Sequence, residues 1–213
     1  MNSAPSSGSS SHDAWLVDLD GTLYAPRFVQ LAMAAELALT GAHRIAALRA
    51  FRRCHEELRH EFAAAPELEF FPSPFQEQLR RTAEKLGMSP EWLRSIVMSW
   101  MVQRPGKWLR MTRRTALLRE IREFRAAGGK TALVSDYPAD AKLRALGARD
   151  AFDLVVANGE HPRLTRLKPS PDGYRIAAAE LGIAPGRCLV LGDRDDADGA
   201  AARAAGMAFC LIG

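Results

Sequence analysis

Cysteine is scarce: Cys54, Cys188 and Cys210 stand alone, with no Cys-x-x-Cys pair. This excludes a disulfide-stapled scaffold and a thiolate zinc site, and points to buried free thiols in a reducing compartment. Long hydrophobic runs are missing too. Nothing approaches the roughly 18 apolar residues of a membrane span, and the first residues lack the basic start and apolar core of a secretory signal. A soluble, cytoplasmic protein with no membrane partner is the expectation. Dense basic stretches are also absent. Lys and Arg exceed Asp and Glu by only 29 to 25 and are spread along the chain, which argues against a nucleic-acid partner and leaves a mild positive field suited to anionic small substrates.

Against these absences, 47% of the 213 residues are apolar, enough for one fair-sized domain, or one domain carrying a large insertion. Residues 1–13, with Ser-Ser-Gly-Ser-Ser-Ser inside them, hold too little apolar surface to offset the entropy of ordering, and read as a disordered tail. A short apolar run follows at 14–18, too short for a helix. From Pro26 to Met111 no period-two alternation occurs. Phe28 to Leu39, Ile45 to Phe62, Phe75 to Leu86 and Glu91 to Val102 place apolar residues three and four apart, with Ser89-Pro90-Glu91 marking one helix start. A helical subdomain over 26–111, inserted into a core made of 14–25 and 112–213, is expected. Trp92, Trp100 and Trp108 read as its interior.

After Thr112 the pattern becomes regular. Helices over about 113–127, from Pro138, from Ser170 and from Asp196 each end at a glycine (Gly128, Gly147, Gly182, Gly206). Apolar strands follow at Lys130 to Ser135, Asp153 to Ala157, Arg187 to Gly192 and Met207 to Ile212. With the first strand this predicts an α/β, Rossmann-like fold: a five-stranded parallel sheet with helices on both faces.

Open parallel sheets bind ligands at the carboxyl ends of their strands. Those ends supply Asp18 and Asp20, then Ser135 and Asp136, then Asp193 followed by Asp195, Asp196 and Asp198, with Lys168 in a long connection. Each residue alone has an ordinary reading: an acidic pair in a surface turn, a strand-end hydroxyl, a solvated lysine, helix-start aspartates favoured by the dipole. Together, carboxylates converging on one rim would repel one another unless a cation were present. Mg²⁺, with its preference for oxygen ligands, resolves that conflict. A hydroxyl and an ammonium on the same rim suit phosphoryl oxygens, so phosphoryl transfer is the chemistry these groups fit.

Asp18-Leu19-Asp20-Gly21-Thr22, the run closing at Ser135, Leu167-Lys168-Pro169 and Gly192-Asp193 with its acidic sequel occur in that order. As an ordered set they resemble the four motifs of the haloacid dehalogenase-like superfamily, from residue 14 to the end of the chain. The resemblance implies its subfamily with a helical C1 cap, on the phosphatase branch that includes phosphoglycolate phosphatases. By that resemblance Asp18 is the nucleophile that forms an aspartyl-phosphate, and Asp20 is the general acid and then base. Ser135 and Lys168 hold phosphoryl oxygens, with Gly21, Thr22 and Asp136 contributing to the substrate site. Mg²⁺ is held by Asp18, the Asp20 main-chain carbonyl and Asp193, with Asp198, or alternatively Asp196, as the further acidic residue. Asp136 stands where the family places a small or amide residue, either turned outward or touching the substrate. Arg27, Arg52, Arg53, His55, His60 and Lys107 are candidates for the cap's polar lining.

The expected activity is hydrolysis of a small phosphorylated metabolite by a monomer or homodimer. A phosphomutase would use the same residues. A dehalogenase fits less well, because those relatives lack the second carboxylate that Asp20 provides. From a different class, a receiver-like phospho-acceptor or a non-catalytic phospho-ligand-binding protein also carries an acidic cluster, a hydroxyl and a lysine, but a receiver has no helical insertion.

Overall fold

The computed structural model describes residues 12–213; the serine-rich stretch 1–11, most of the expected tail, lies outside the described residues. Asp13, read from sequence as the end of that tail, is already tied to the sheet just before its first strand. Its amide donates to the Arg187 carbonyl at 2.8 Å, and its carbonyl accepts from Lys130 at 2.9 Å.

The five strands are β1 (Ala14–Val17), β2 (Lys130–Ser135), β3 (Leu154–Ala157), β4 (Cys188–Gly192) and β5 (Ala208–Leu211). They pair in the order β3-β2-β1-β4-β5, all parallel. Every residue of β1 is buried, as expected of a strand covered on both faces. Because side chains alternate, Trp15 and Val17 enter one apolar cluster with Leu133, Leu189 and Leu191, while Ala14 and Leu16 enter another with Ala132, Val134 and Val190. Helices α6 (Thr115–Ala126) and α7 (Asp140–Leu146) cover the first face, where Trp15 stacks on Phe124 with ring centroids 4.3 Å apart. Helices α8 (Asp172–Leu181) and α9 (Ala200–Ala205) cover the second.

Between β1 and α6 lies the helical insertion: α1 (Pro26–Thr40), α2 (Ala42–Ala64), α3 (Pro74–Leu86), α4 (Pro90–Val97) and α5 (Gly106–Thr112). Ser73 and Ser89 cap α3 and α4, accepting from the amides of Gln76 at 3.3 Å and Trp92 at 3.1 Å. The chain leaves and re-enters the core side by side. Ala25 donates to the Thr112 carbonyl at 3.0 Å, Arg114 donates to Leu23 at 2.8 Å, and Tyr24 bridges Arg113. Phe51, Phe75, Leu79, Leu93, Val97 and Trp100 make the insertion's own core. It is not sealed off, however. Val29 of α1 and Leu109 of α5 pack into the first sheet-face cluster, and Leu167 of the core packs with Cys54, Leu58 and Phe62.

Some local expectations change. The helix expected over Glu91 to Val102 is two pieces, α4 and a π-helical stretch Met98–Gln103. Arg104 and Pro105 form the turn that the Arg-Pro-Gly composition predicts, and Gly106 already opens α5. Trp92 is 45% exposed rather than interior, because it lies on the outer face of α4. Trp108 is partly buried, its Nε1 donating to Glu36 at 2.9 Å. All three cysteines are free. No described helix is long and apolar enough to cross a membrane.

Candidate active site

Sheet register gathers the acidic groups. Val17, the last residue of β1, pairs with Leu133 on one side and Leu191 on the other. Asp18 therefore emerges between the ends of β2 and β4, where Ser135 and Gly192 close the neighbouring strands. This is where the chain, having laid β2 and β3 to one side of β1, crosses to β4 on the other, the kind of crevice in which open sheets bind ligands. Asp18 is 6% exposed and Ser135 2%.

The turn after Asp18 aims its carboxylate. Leu23 donates to the Leu19 carbonyl at 3.0 Å, and Thr22 Oγ1, fully buried, donates to Asp18 Oδ2 at 3.0 Å. Gly21 has φ +97°, and a Cβ there would lie 2.0 Å from Asp193 Oδ2. Glycine is required both by the left-handed backbone and by the carboxylate lying over it. Gly192 has a steric role of its own, since a Cβ there would lie 2.5 Å from Asp198 Cβ.

Lys168 closes the inner floor. Its ammonium donates to Asp18 Oδ1 at 2.5 Å and to Asp198 Oδ1 at 2.7 Å. Burial opposes its charge, but the two aspartates outweigh that and hold its pKa well above the usual lysine value. Burial pushes Asp18 up to about 7; Lys168 opposes the rise, and Asp198 adds to it. Asp136 finds its use here: Oδ1 accepts the Lys168 backbone amide at 3.1 Å, so the unusual carboxylate fixes the lysine loop while it also lines the cleft.

Carboxylate oxygens of Asp18, Asp193 and Asp198 all lie within 4.8 Å of one another. Asp193 is raised by burial and then by Asp198, and among the described residues no cationic side chain pairs with it, Arg194 being turned to Asp196 at 2.6 Å. Two buried or half-buried acids with raised pKa values, one of them unpaired, form an all-oxygen donor set short of positive charge, which fits a hard divalent cation. Asp198 is different. Oδ1 accepts from Lys168 and, at 2.8 Å, from the Tyr174 hydroxyl, and Oδ2 accepts the Arg194 amide at 3.3 Å. Burial would raise Asp198, but these partners hold it below the usual range, and its bonds make it an anchor for Lys168. Asp196, the alternative from sequence, is exposed and paired with Arg194; Asp195 pairs with Arg203.

Asp20 has a partner that sequence reasoning missed. Lys142 of α7, 5% exposed, donates to both Asp20 oxygens at 2.6 and 2.7 Å, and Tyr24 donates to Asp20 Oδ1. Burial would raise Asp20, but Lys142 and Tyr24 outweigh it and hold the carboxylate below its usual pKa. Lysine is rare in this arginine-rich chain, occurring only as Lys85, Lys107, Lys130, Lys142 and Lys168. That rarity was the one available signal, and it does not set Lys142 apart from the other four.

The insertion roofs a cleft of about 130 Å³ lined by Asp18, Asp20, Ser135, Asp136, Lys168, Asp193, Arg194, Ala197, Asp198 and Tyr137, and from α2 by His55, Glu56 and Arg59. Of the polar lining expected from sequence, only His55 is there. It is buried, stacked on Tyr137 at 4.4 Å, and held by burial below the usual histidine pKa. Arg27, Arg52, Arg53 and His60 are exposed, and Lys107 pairs with Glu36 at 2.7 Å. Arg59 and Glu56 were missed, as was Asn158, which ties the roof to the rim. Its Oδ1 accepts the Phe75 amide at 3.1 Å, and its Nδ2 donates to the Asp136 carbonyl at 3.1 Å.

A parallel α/β sheet whose first strand leads into an Asp-x-Asp with a buried first carboxylate, faced by a lysine and further aspartates and roofed by inserted helices, defines a hydrolase class built around an aspartate. The chain belongs to the haloacid dehalogenase-like hydrolase family, whose model matches residues 12–206. It is 44% identical over 69 residues to the fructose-1-phosphate phosphatase YqaB of Escherichia coli (strain K12), a match spanning 32% of this chain and 35% of that protein. Among solved structures it is similar to the L-2-haloacid dehalogenase of Xanthobacter autotrophicus (TM-score 0.62, 23% identity, 94% of this chain and 77% of that one). It is also similar to the β-phosphoglucomutase of Clostridium difficile (TM-score 0.57, 19% identity, 95% and 85%). At these identities the structural likenesses establish the fold.

Proposed function

We propose that the protein is a Mg²⁺-dependent phosphatase that hydrolyses a small-molecule phosphomonoester through an aspartyl-phosphate on Asp18. The observation that carries this reading is the grip on Asp18: a buried carboxylate at a strand end, held by Lys168 at 2.5 Å and Thr22 at 3.0 Å, with a second carboxylate, Asp20, two residues away. The phosphatase relative supports a phosphoester substrate, and Asp20 supplies the acid–base group that such a substrate needs and a halide leaving group does not.

In the first half-reaction an Asp18 oxygen attacks phosphorus, the phosphorus–oxygen ester bond breaks, and the departing alkoxide takes a proton from Asp20. In the second, Asp20 removes a proton from water, which attacks the acyl phosphate and regenerates the Asp18 carboxylate. Lys168 and Ser135 hold the transferring oxygens and stabilise the charge developing on them. Asp18, the Asp20 main-chain carbonyl and Asp193 would hold Mg²⁺, and Asp198 keeps Lys168 in place beside them. The ion would offset the repulsion between Asp18 and an anionic substrate. The Lys142 contact keeps Asp20 ionised before substrate arrives, which is the form needed for the second half-reaction; for the first it must take up a proton as the phosphoryl group enters.

With Mg²⁺ and p-nitrophenyl phosphate, Asp18→Asn should lower kcat to less than about one ten-thousandth of the parent value. Turnover retained in that variant would overturn the assignment.

A further inference from the structure

The inner part of the cleft is set for a phosphoryl group; the outer part determines what can be attached to it. Its volume is about 130 Å³, below the roughly 300–1,000 Å³ of pockets that enclose drug-sized ligands. The outer wall is polar. Arg59 is 7% exposed, and its Nε is spent on the Lys168 carbonyl at 3.0 Å. Nη1 reaches Glu56 Oε1 only at 3.5 Å, the outer limit of a hydrogen bond, while Nη2 has no partner among the described residues and the side chain lines the cleft. Glu56, half exposed, offers Oε2 without a partner among the described residues, and Arg194 approaches Oε1 only to 3.9 Å. Among the described residues Asp136 keeps Oδ2 without a partner once Oδ1 has taken the Lys168 amide.

The outer cleft thus presents a buried donor next to an unfilled acceptor. A carboxylate against Arg59 would also face Glu56 and Asp136, and Arg194 is already engaged by Asp196 with contacts of 3.1 and 2.6 Å, so it would be repelled. A hydroxyl accepts from Arg59 and donates to Glu56 at once, leaving neither unmet. We infer that Glu56 and Arg59 of α2 form the specificity pair of this site and that its substrate is a phosphorylated polyol or small sugar.

This rests on the phosphatase reading, and one experiment separates the two. With Mg²⁺, kcat/KM is measured for fructose 1-phosphate, phosphoglycolate and p-nitrophenyl phosphate on the parent, Glu56→Ala, Arg59→Gln and Arg59→Lys. The readout is the ratio of each natural phosphate to the aryl phosphate, which a general loss of activity or folded protein does not move. The parent should favour the sugar phosphate over phosphoglycolate by at least about ten-fold. The sugar-to-aryl ratio should fall about ten- to a hundred-fold in Glu56→Ala and Arg59→Gln, with Arg59→Lys between. A parent that prefers phosphoglycolate, or a sugar preference that survives in both Glu56→Ala and Arg59→Gln, overturns the specificity pair alone. Absence of turnover on the aryl phosphate by the parent overturns the phosphatase reading beneath it.

Discussion

Asp20 and Gly21 show how single residues shape this site. Asp20 is the acid–base group in the proposed reaction, yet its oxygens are bound by Lys142 at 2.6 and 2.7 Å. Lys142→Met keeps the apolar stem and removes the charge. It should leave Asp20 held by Tyr24 alone and less firmly aimed, lowering kcat on alkyl phosphates about a hundred-fold. The loss should be much smaller on p-nitrophenyl phosphate, whose leaving group needs little protonation; equal losses on both substrates would contradict the positioning role. Gly21 joins backbone conformation to Asp193, a carboxylate proposed to hold Mg²⁺. Gly21→Ala would face a positive φ and a Cβ 2.0 Å from Asp193 Oδ2, so Asp193 must move. Backbone strain of about 1–3 kcal/mol is expected, seen as a lower denaturation midpoint, together with weaker Mg²⁺ binding. A midpoint and an affinity both equal to the parent's would rule this out.

Among the elements, the seam between roof and rim runs through Asn158 just after β3. Its amide holds both Phe75 at the start of α3 and the Asp136 carbonyl. Asn158→Ala should leave that buried pair unmet and cost about 1–3 kcal/mol in chemical denaturation, and it should raise KM as the roof loosens. The same seam explains what the sequence could disclose. β1, β2, β4 and the glycine-ended helices were legible because burial on both faces and helix termination are local, periodic signals. Asp18, Asp193 and Lys168 were legible from local signals that the structure brings together: Asp18 and Asp193 follow strand ends, and Lys168 sits in a short Leu-Lys-Pro motif of a long connection. Asn158, Arg59 and Lys142 were not: each sits in an ordinary helix or loop context, and its partner is 83, 109 and 122 residues away, respectively. The α5 helix escaped notice because Pro105-Gly106 has the composition of a turn. The segregated helical block was visible as a pattern, but the packing of Val29 and Leu109 into the sheet-face cluster depends on tertiary contact.

For the molecule as a whole, the concentration of carboxylates at one sheet edge would couple the proposed Mg²⁺ binding to pH. Asp18, raised to about 7 by burial, and Asp193, also raised, must lose protons for Mg²⁺ to bind. Asp198 is lowered and stays ionised across the same range. Below about pH 7 the ion therefore competes with a proton on Asp18, and above it that competition ends. Mg²⁺ affinity measured by calorimetry should rise by up to about ten-fold per pH unit toward neutrality and then level off; an affinity independent of pH between about 5.5 and 8 would contradict this.

The central claim is that the carboxylate of Asp18 becomes covalently phosphorylated. The direct test is to quench the enzyme in acid during turnover of a phosphomonoester with Mg²⁺ and map the adduct by mass spectrometry of its peptides. A single phosphoryl group on the peptide carrying Asp18, absent from Asp18→Asn, is the predicted result. Turnover with no adduct on that peptide, or with the phosphoryl group on another residue, would contradict the mechanism.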